Sequence, residues 1–229
     1  MGRAWAVLAI GLWASASAGN QVEGLSGKAK LDAVLAEISK AQLAIQTLSA
    51  NFQQTKVSRL LKEPSVLSGV FYYQAPDQVR WEYRNPRETV VLVTAQAMVT
   101  YRPAERLAEK VELGRSQRKL FSFLSASEPI MNLSRHFSFT LRDPGGEGNF
   151  VLILNPVTHQ LKKRLHHVEL VIDRKSFLPV RFSYTEADGD VTTYEFSQVQ
   201  INQPLPPNLF SLDLPPGVRV VELKLRGSE

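Results

Sequence analysis

The first regular pattern of apolar and polar positions in the chain has a helical period. Apolar side chains recur three and four positions apart, with charged and amide side chains between them. This spacing places the apolar side chains on one face, so it predicts a single amphipathic helix that packs on a sheet. The helix is predicted from Lys28 to about Ile45, with its apolar positions at Leu31, Val34, Leu35, Ile38, Ala41 and Ile45.

Beyond the helix the period changes to two, which indicates β-strands. The connections between successive runs are too short to hold crossover helices, so the strands are predicted to form an antiparallel meander. The first run places Leu48, Ala50 and Phe52 on one face. The following runs lie at 66–74, 78–84, 89–94 and 97–102.

The run at 78–84 has an unusually aromatic face. Val79, Trp81 and Tyr83 alternate there with charged and amide side chains. The preceding strand adds Phe71 and Tyr73 at alternate positions. Because successive side chains of a strand point to opposite faces, these residues are predicted to line one apolar surface of the sheet.

The second half of the chain predicts more strands after an interruption. Residues 115–134 mix large apolar side chains with serine and proline, which favours one or two short helices. Strand-like runs then follow at 136–141, 149–154, 164–173, 178–185 and 191–199. No linker separates the two sets of strands, so we predict one α+β domain over residues 19–229.

Two features mark the connections of this second set. The pair Asp188-Gly189 is typical of a hairpin turn. The tail "PLPPNLFSLDLPPGVRVVEL" contains several prolines, and proline lacks the N–H that a central strand must donate. We therefore expect the tail to form only short edge strands or an extended segment.

The first residues are typical of a signal peptide. Arg3 precedes an apolar run of about ten residues and then the small residues of "ASASAGN". That run is shorter than the roughly 20 residues that span a bilayer, so residues 1–18 are predicted to be cleaved and the soluble remainder exported to the periplasm. The chain has no cysteine, which excludes disulfides and the lipid-modified cysteine of a bacterial lipoprotein.

The charge of the chain gives no support to a nucleic-acid partner. The formal net charge is +5, and the cations are spread over both halves without a basic patch interleaved with stacking aromatics. Export also separates the protein from nucleic acid. Weak attraction to anionic membrane surfaces is compatible with this charge.

No arrangement of residue types predicts catalysis or metal binding. His166 and His167 are adjacent in a predicted strand and point to opposite faces, which disfavours joint ligation of a metal. The serines lie in no G-x-S-x-G elbow, and the glycines at 145–148 lie between two strands, where a turn is expected. We therefore predict a protein that is not an enzyme, with no catalytic residue, metal or cofactor.

Apolar surface is the feature that remains for function. A strongly curved sheet with helices across its concave side either fills itself with side chains or leaves a cavity for an apolar ligand. Periodicity does not choose between these two alternatives.

Several motifs, in a fixed order, resemble a known family. After the signal peptide and the amphipathic helix come "LSANFQQ" (48–54), "GVFYYQAPDQVRWEY" (69–83), "NP" (85–86), "YRP" (101–103) and "NLFSLDLPPGV" (208–218). In this order they resemble the periplasmic outer-membrane lipoprotein carrier proteins (LolA) and their relatives. The resemblance covers nearly the whole chain after the signal peptide.

The resemblance implies both a fold and a function. The fold would be an unclosed antiparallel β-barrel, with helices covering the concave face of the curved sheet and enclosing a hydrophobic cavity. The function would be to shield acyl chains of lipoproteins, or of another periplasmic lipid, during transfer from an inner-membrane donor to an outer-membrane acceptor. Such a carrier acts as a monomer and needs no cofactor.

Alternation and resemblance together assign the candidate site. The lipid-binding cavity is expected to be lined by Leu48, Phe52, Phe71, Tyr73, Val79, Trp81 and Tyr83. The lid over it is expected to present Leu31, Val34, Leu35, Ile38, Leu120, Phe123 and Leu124. The alternative role of each of these residues is to fill an ordinary apolar core.

Two positions depart from the family pattern. In the well-studied carrier, an arginine just before the proline of the aromatic strand latches the lid, but this chain has Ala75 there. Arg80 and Arg84 are nearby, but their parity places them on the outer face. The family's Asp-Gly turn is replaced by Thr94-Ala95-Gln96. We therefore do not transfer the latch.

Two other functions remain as alternatives. The first is a periplasmic regulatory protein of the same half-barrel fold that senses mislocalised lipoprotein and signals to a membrane partner. The family resemblance implies that such sensors carry an additional C-terminal domain. The second is an exported lipid-modifying hydrolase, which would require a serine, a histidine and a carboxylate to converge within hydrogen-bond distance.

Overall fold

The computed structural model describes residues 22–112 and 130–223. The predicted signal peptide lies outside these residues, and so do Leu120, Phe123 and Leu124 of the predicted lid. The predicted amphipathic helix is present as α1 (Gly27–Leu43). It buries the apolar face that the sequence predicts, with Val34, Leu35 and Ile38 less than a tenth exposed.

Within the described residues, twelve strands form one sheet. Every predicted run of alternating residues forms a strand. Their bounds are β1 (Thr47–Val57), β2 (Ser65–Gln74), β3 (Gln78–Asn85), β4 (Thr89–Val93), β5 (Ala97–Arg102), β6 (Leu107–Glu112), β7 (Phe137–Arg142), β8 (Phe150–Pro156), β9 (Leu165–Ile172), β10 (Pro179–Glu186), β11 (Val191–Ile201) and β12 (Arg219–Leu223). Short helices accompany them, at Pro103–Glu105 and Ile130–Arg135 (3₁₀) and at His159–Lys162 (α2).

The sheet is curved and does not close into a barrel. Its strand order is β12-β6-β5-β4-β3-β2-β1-β11-β10-β9-β8-β7. The predicted hairpin is present between β10 and β11, where the N–H of Glu186 donates to the carbonyl oxygen of Asp190 at 2.8 Å and Gly189 has a φ of +91°.

One edge corrects the prediction of a fully antiparallel sheet. β12 pairs in parallel with β6, from Arg219 beside Leu107 to Leu223 beside Val111. The sequence did not predict β6, because three of its six residues are charged. The antiparallel pairings from β11 through β1 to β6 make β11 and β6 run in the same direction. The tail crosses from the end of β11 to the side of β6, where β12 forms the edge strand and runs in that direction too.

Two apolar clusters form along the concave face. The first lies between α1, the 3₁₀ helix at Ile130–Arg135 and strands β7 to β10. The second lies on strands β1 to β6 and β11. The two meet where Phe182 of β10 pairs with Tyr194 of β11, whose rings lie 5.8 Å apart between centroids. One continuous apolar face therefore extends across the sheet.

An ion-pair network fixes the start of α1 to the end of the sheet that holds the turns β7–β8 and β9–β10. The carboxylate of Asp143 pairs with both Lys30 of α1 and Arg174. Arg174 also pairs with Glu23 at 2.7 Å and lies over the Phe150 ring at 4.1 Å from its centroid. The side chains of Lys30 and Asp143 are both more than four-fifths buried, so this pair ties the helix to the sheet.

No helix in residues 22–112 or 130–223 has the length and the apolar composition needed to cross a membrane.

Candidate functional site

The second cluster is called the aromatic wall below. Its buried members are Phe52, Phe71, Val79, Trp81, Val93 and Val111, against which Leu48, Tyr73, Tyr83, Val91, Met98, Tyr194 and Phe196 pack. All seven residues predicted to line the cavity belong to this wall. They belong together because β1, β2 and β3 pair in a register that keeps these seven positions on one face.

Strand register explains how the wall is assembled. Phe71 of β2 lies beside Trp81 of β3 on one side and beside Ala50 of β1 on the other. The small side chain of Ala50 leaves room for its neighbours. In the next row, Tyr73 lies between Leu48 and Val79.

The rings of the wall contact one another in edge-on and tilted arrangements. Trp81 is their centre, with its ring centroid 4.6 Å from Phe71, 4.8 Å from Phe52 and 5.4 Å from Tyr194. Contacts of this kind stabilise by about 1 kcal/mol beyond the burial of their area. The wall is therefore a connected surface of aromatic rings.

The residues of the wall fall into a buried group and a partly exposed group. Phe52, Phe71 and Trp81 are less than a tenth exposed. Tyr73 and Tyr83 are only half-buried. Tyr73 and Tyr83 therefore remain partly accessible at the wall.

Six members of the wall were not predicted from the sequence. Four of them are Val91, Val93, Met98 and Val111, and the two aromatic ones are Tyr194 and Phe196. These two aromatic residues lie in β11, more than 100 residues after the strands they join, and β1 brings them there by pairing with β11, with Phe52 opposite Phe196. The alternation of Thr192, Tyr194 and Phe196 was visible in the sequence. It did not show which strand would be the neighbour of β11.

Two consecutive hydrogen bonds join Tyr194, Tyr83 and Gln54 within the wall. The hydroxyl of Tyr194 donates to that of Tyr83, and the Tyr83 hydroxyl donates to Oε1 of Gln54 at 3.1 Å. Burial raises the pKa of both tyrosines, so both are neutral at physiological pH. The wall therefore presents uncharged polar groups among its rings.

The structure places the described lid residues on a different part of the concave face. Val34, Leu35 and Ile38 pack in the first cluster, and Leu31 packs against it. Through this cluster α1 covers β7 to β10, the C-terminal half of the sheet. The helix therefore lies beside the aromatic wall. On its exposed side, a groove of about 450 Å³ is lined by Asp32, Ala36, Ser39, Lys40, Leu43 and Met131.

The outer face of β3 carries the two arginines that parity assigned to it. Arg80 donates through Nε to Glu82 at 2.7 Å and through Nη1 to the carbonyl oxygen of Leu209 at 3.0 Å. Arg84 is mostly exposed and reaches Glu82 at 3.5 Å. Arg80 therefore fastens the tail to the outer face of the sheet. At the position of the family latch, the N–H of Ala75 donates to the carbonyl oxygen of Gln46 at 2.8 Å.

Metal ligands do not converge in the part of the chain that the structure describes, where no group of three or more His, Asp or Glu side chains forms a possible site.

Comparison with known proteins assigns the family. The family model "Outer membrane lipoprotein carrier protein LolA" matches residues 44–213, which include β1 to β11 and most of the tail. The chain belongs to the LolA family. The match contains every strand that contributes to the aromatic wall.

Curated relatives support the same family. An outer-membrane lipoprotein carrier protein of Chromobacterium violaceum is 28% identical over 203 residues, which is 86% of this chain and 91% of the relative. The corresponding protein of Legionella pneumophila strain Lens is 26% identical over 192 residues, covering 82% and 89%. The carrier protein of Nitrosospira multiformis is 27% identical over 180 residues, covering 77% and 82%.

Solved structures show the same fold. An uncharacterised conserved protein from Thermus thermophilus has a TM-score of 0.54 at 14% identity, covering 84% of this chain and 99% of that one. MucB has a TM-score of 0.51 at 14% identity, covering 82% of this chain and 64% of MucB. At these identities the likeness concerns the fold alone.

Proposed function

We propose that this LolA-family protein is a periplasmic carrier that shields the acyl chains of lipoproteins, or of a related lipid, on its aromatic wall. The observation that carries the proposal is the partly exposed group of the wall, in which Tyr73 and Tyr83 are only partly buried beside the buried residues of the same face. Soluble proteins rarely leave connected apolar surface open without a ligand or partner for it.

The energetics of acyl-chain burial favour a broad surface of this kind. Burial is worth about 0.8 kcal/mol per methylene, so a chain of about 16 carbons gains roughly 12 kcal/mol before costs. A carrier that kept this whole gain would not release its cargo. A half-buried wall withdraws only part of the chain from water, which is compatible with transfer to an acceptor.

The chemistry of the wall suits a ligand that is recognised by shape and apolarity. Its described members are apolar or aromatic, and the hydroxyls of Tyr83 and Tyr194 among its rings are neutral. No proton transfer or nucleophile is needed to carry a lipid. We therefore propose a function without catalysis or cofactor.

The helix contributes a fixed side to the binding space. Val34 and Ile38 are at most 1% exposed, and the Asp143 network holds the start of α1. Opening the helix would expose this cluster to water at a cost of several kcal/mol. We propose that the acyl chain lies along the aromatic wall and against the edge of the covered half of the sheet.

Transfer of cargo from one membrane to the other requires a partner at each membrane. We propose an inner-membrane donor that releases the lipoprotein and an outer-membrane acceptor that receives it. The curated relatives are named outer-membrane lipoprotein carrier proteins, which supports lipoprotein as the cargo. The protein that carries the cargo between donor and acceptor is expected to be a monomer.

Two matched variants test the binding site. Tyr73 and Tyr72 are adjacent in β2 and both half-buried, but they point to opposite faces of the sheet. Trp81 is the only tryptophan after Trp13, so its fluorescence reports on the wall. A brominated fatty-acyl ester is expected to quench Trp81, and Tyr73→Ala is expected to weaken this binding about tenfold while Tyr72→Ala leaves it unchanged.

Cargo and transfer are tested separately. Mass spectrometry of organic extracts from protein purified from the periplasm is expected to detect acyl chains or lipoprotein. Protein that carries no acyl chain and whose Trp81 is not quenched would contradict the proposal. Protein that binds acyl chains but retains them when offered outer-membrane vesicles would favour the sensor instead.

A further inference from the structure

The connection between β1 and β2 ends in an exposed apolar tip. Leu60 is 93% exposed, and Val57, Leu61 and Val66 are each about half exposed. Val57 ends β1, Val66 lies at the start of β2, and the two leucines lie in the segment that joins these strands, so all four are grouped at one end of the hairpin. Single exposed leucines are common, but a cluster of this kind marks an interaction site.

Hydrogen bonds of Ser58 hold the tip in its exposed conformation. The hydroxyl of Ser58 accepts a hydrogen bond from the N–H of Leu60 at 3.2 Å, and the carbonyl oxygen of Ser58 accepts one from Leu61 at 3.2 Å. Ser58 also donates to Asp190 in the β10–β11 turn. The turn is therefore ordered in a form that presents both leucines to solvent.

Three connections assemble at this end of the sheet. Asp190 links the 58–64 segment to the β10–β11 turn, and Lys56 pairs with it at 3.2 Å. The N–H of Ala187 donates to the carbonyl oxygen of Arg164 at 2.9 Å, which adds the β8–β9 segment 157–164. We call the segments 58–64, 157–164 and 187–190 the loop end.

The loop end is basic on its surface. Its carboxylates are Glu63, Asp188 and Asp190, and Asp190 is only 8% exposed and paired with Lys56. The loop end therefore has two exposed carboxylates and five exposed cations. Those cations are Arg59, Lys62, Lys162, Lys163 and Arg164.

We propose that the loop end docks on an anionic phospholipid surface, with Leu60 and Leu61 inserted among the lipids and the neighbouring cations on the headgroups. A bilayer interface offers negative charge and apolar chains within a few ångströms of each other, which matches two leucines flanked by Arg59 and Lys62. The inference goes beyond the proposed function, because docking can be measured whether or not the wall holds an acyl chain.

The position of the tip connects it to the wall. β1 and β2 carry Phe52 and Phe71 and continue directly into the 58–64 segment. Docking by this tip would bring the end of the aromatic wall nearest Gln54 towards the membrane. An acyl chain that leaves the wall at this end would then reach a lipid phase over a short distance.

Vesicle sedimentation tests the apolar part of the proposal. The purified protein is mixed with vesicles of phosphatidylethanolamine and phosphatidylglycerol or with vesicles of phosphatidylcholine alone. We expect binding to the anionic vesicles, reduced at least tenfold in the double variant Leu60→Ser/Leu61→Ser. The control is Leu43→Ser, because Leu43 is 72% exposed but lies at the opposite end of the sheet.

A second pair of variants tests the charge. Each cation near the surface is expected to contribute about fivefold in binding, so Arg59→Gln/Lys62→Gln should bind more than tenfold more weakly. Arg142→Gln/Lys175→Gln removes two exposed cations at the opposite end and should bind like the wild type. Raising the salt concentration should weaken wild-type binding, because screening shortens the range of the attraction.

Tryptophan fluorescence provides a test that does not depend on variants that lose binding, because such variants could also have lost their fold. In Leu60→Trp, emission is expected to shift to the blue with anionic vesicles, whereas Leu43→Trp should not respond. Wild-type protein that ignores anionic vesicles, or serine variants that bind them equally well, would overturn the proposal. A tip that is needed for contact with a purified membrane protein but not with protein-free vesicles would overturn it in favour of a protein partner.

Discussion

The rings of Phe52 and Tyr83 meet edge to face with 5.1 Å between their centroids, although β1 and β3 are not neighbours in the sheet. Strands two apart lie roughly 9.5 Å from each other. Gly69 of β2 lies between the two residues in the register. Because it has no side chain, both rings lean across the intervening strand and close the wall.

Replacing this glycine should disrupt the sheet. A Cβ at position 69 would lie 1.8 Å from the carbonyl oxygen of Glu82 and 3.0 Å from the Phe52 ring. Strand pairing fixes the carbonyl, so Gly69→Ala is expected to lower the free energy of unfolding by about 3 kcal/mol. Urea denaturation measures this, with Gly24→Ala as the control because position 24 has open space. Equal urea midpoints for the two variants would refute the steric argument.

The contribution of Asp143 should depend on pH. Burial tends to raise the pKa of this carboxyl, but hydrogen bonds from Lys30, the N–H of Gly145 and Arg174 outweigh it and lower the pKa to about 2. A folded pKa below the unfolded value of about 3.9 stabilises the fold above pH 4, and this contribution is lost as the pH falls towards 2.

Asp143→Asn should therefore unfold more easily at neutral pH, by about 2 kcal/mol. The difference from the wild type should narrow below pH 4. Thermal or urea unfolding between pH 7 and pH 2.5 measures the trend, with the exposed neighbour Glu147→Gln as control. A difference that stays constant over this range would show that Asp143 is not stabilised as a carboxylate.

Loss of Arg80 should release the tail from the outer face. Its Nη1 holds the Leu209 carbonyl oxygen at 3.0 Å, and its side chain is only 14% exposed. A hydrogen bond to a charged group contributes about 2 kcal/mol, so Arg80→Gln should speed amide exchange in residues 203–218 at least tenfold. Arg84→Gln, on the same face but mostly exposed, serves as control. Unchanged exchange in Arg80→Gln would mean that other contacts hold the tail.

Removing the hydroxyl of Thr192 should stabilise the protein. Among the buried side chains of the described residues, the Thr192 Oγ1 atom has no hydrogen-bond partner, and the residue is 1% exposed. Valine keeps the shape without the unpaired polar atom, so Thr192→Val is expected to raise the free energy of unfolding by about 1 kcal/mol. Thr193→Val, on the opposite face of β11, should have little effect. A loss of stability in Thr192→Val would indicate that the hydroxyl has a bound partner in solution.

The sequence predicted the elements well because their signals are local. The spacing of Val34, Leu35 and Ile38 predicted α1, and alternation predicted each strand from β1 to β5 and from β7 to β11. It missed β6, where charged residues hide the pattern, and the parallel pairing of β12, which depends on the path of the tail.

For the candidate site, the sequence alone determined which side chains of β1, β2 and β3 share a face, because side-chain direction follows from a period of two. Only the tertiary structure decided that Tyr194 and Phe196 complete that face and that α1 covers the other half of the sheet. Strand order is set by packing between segments more than 100 residues apart. Periodicity describes only a segment and its own neighbours, so it contains no information about such pairings.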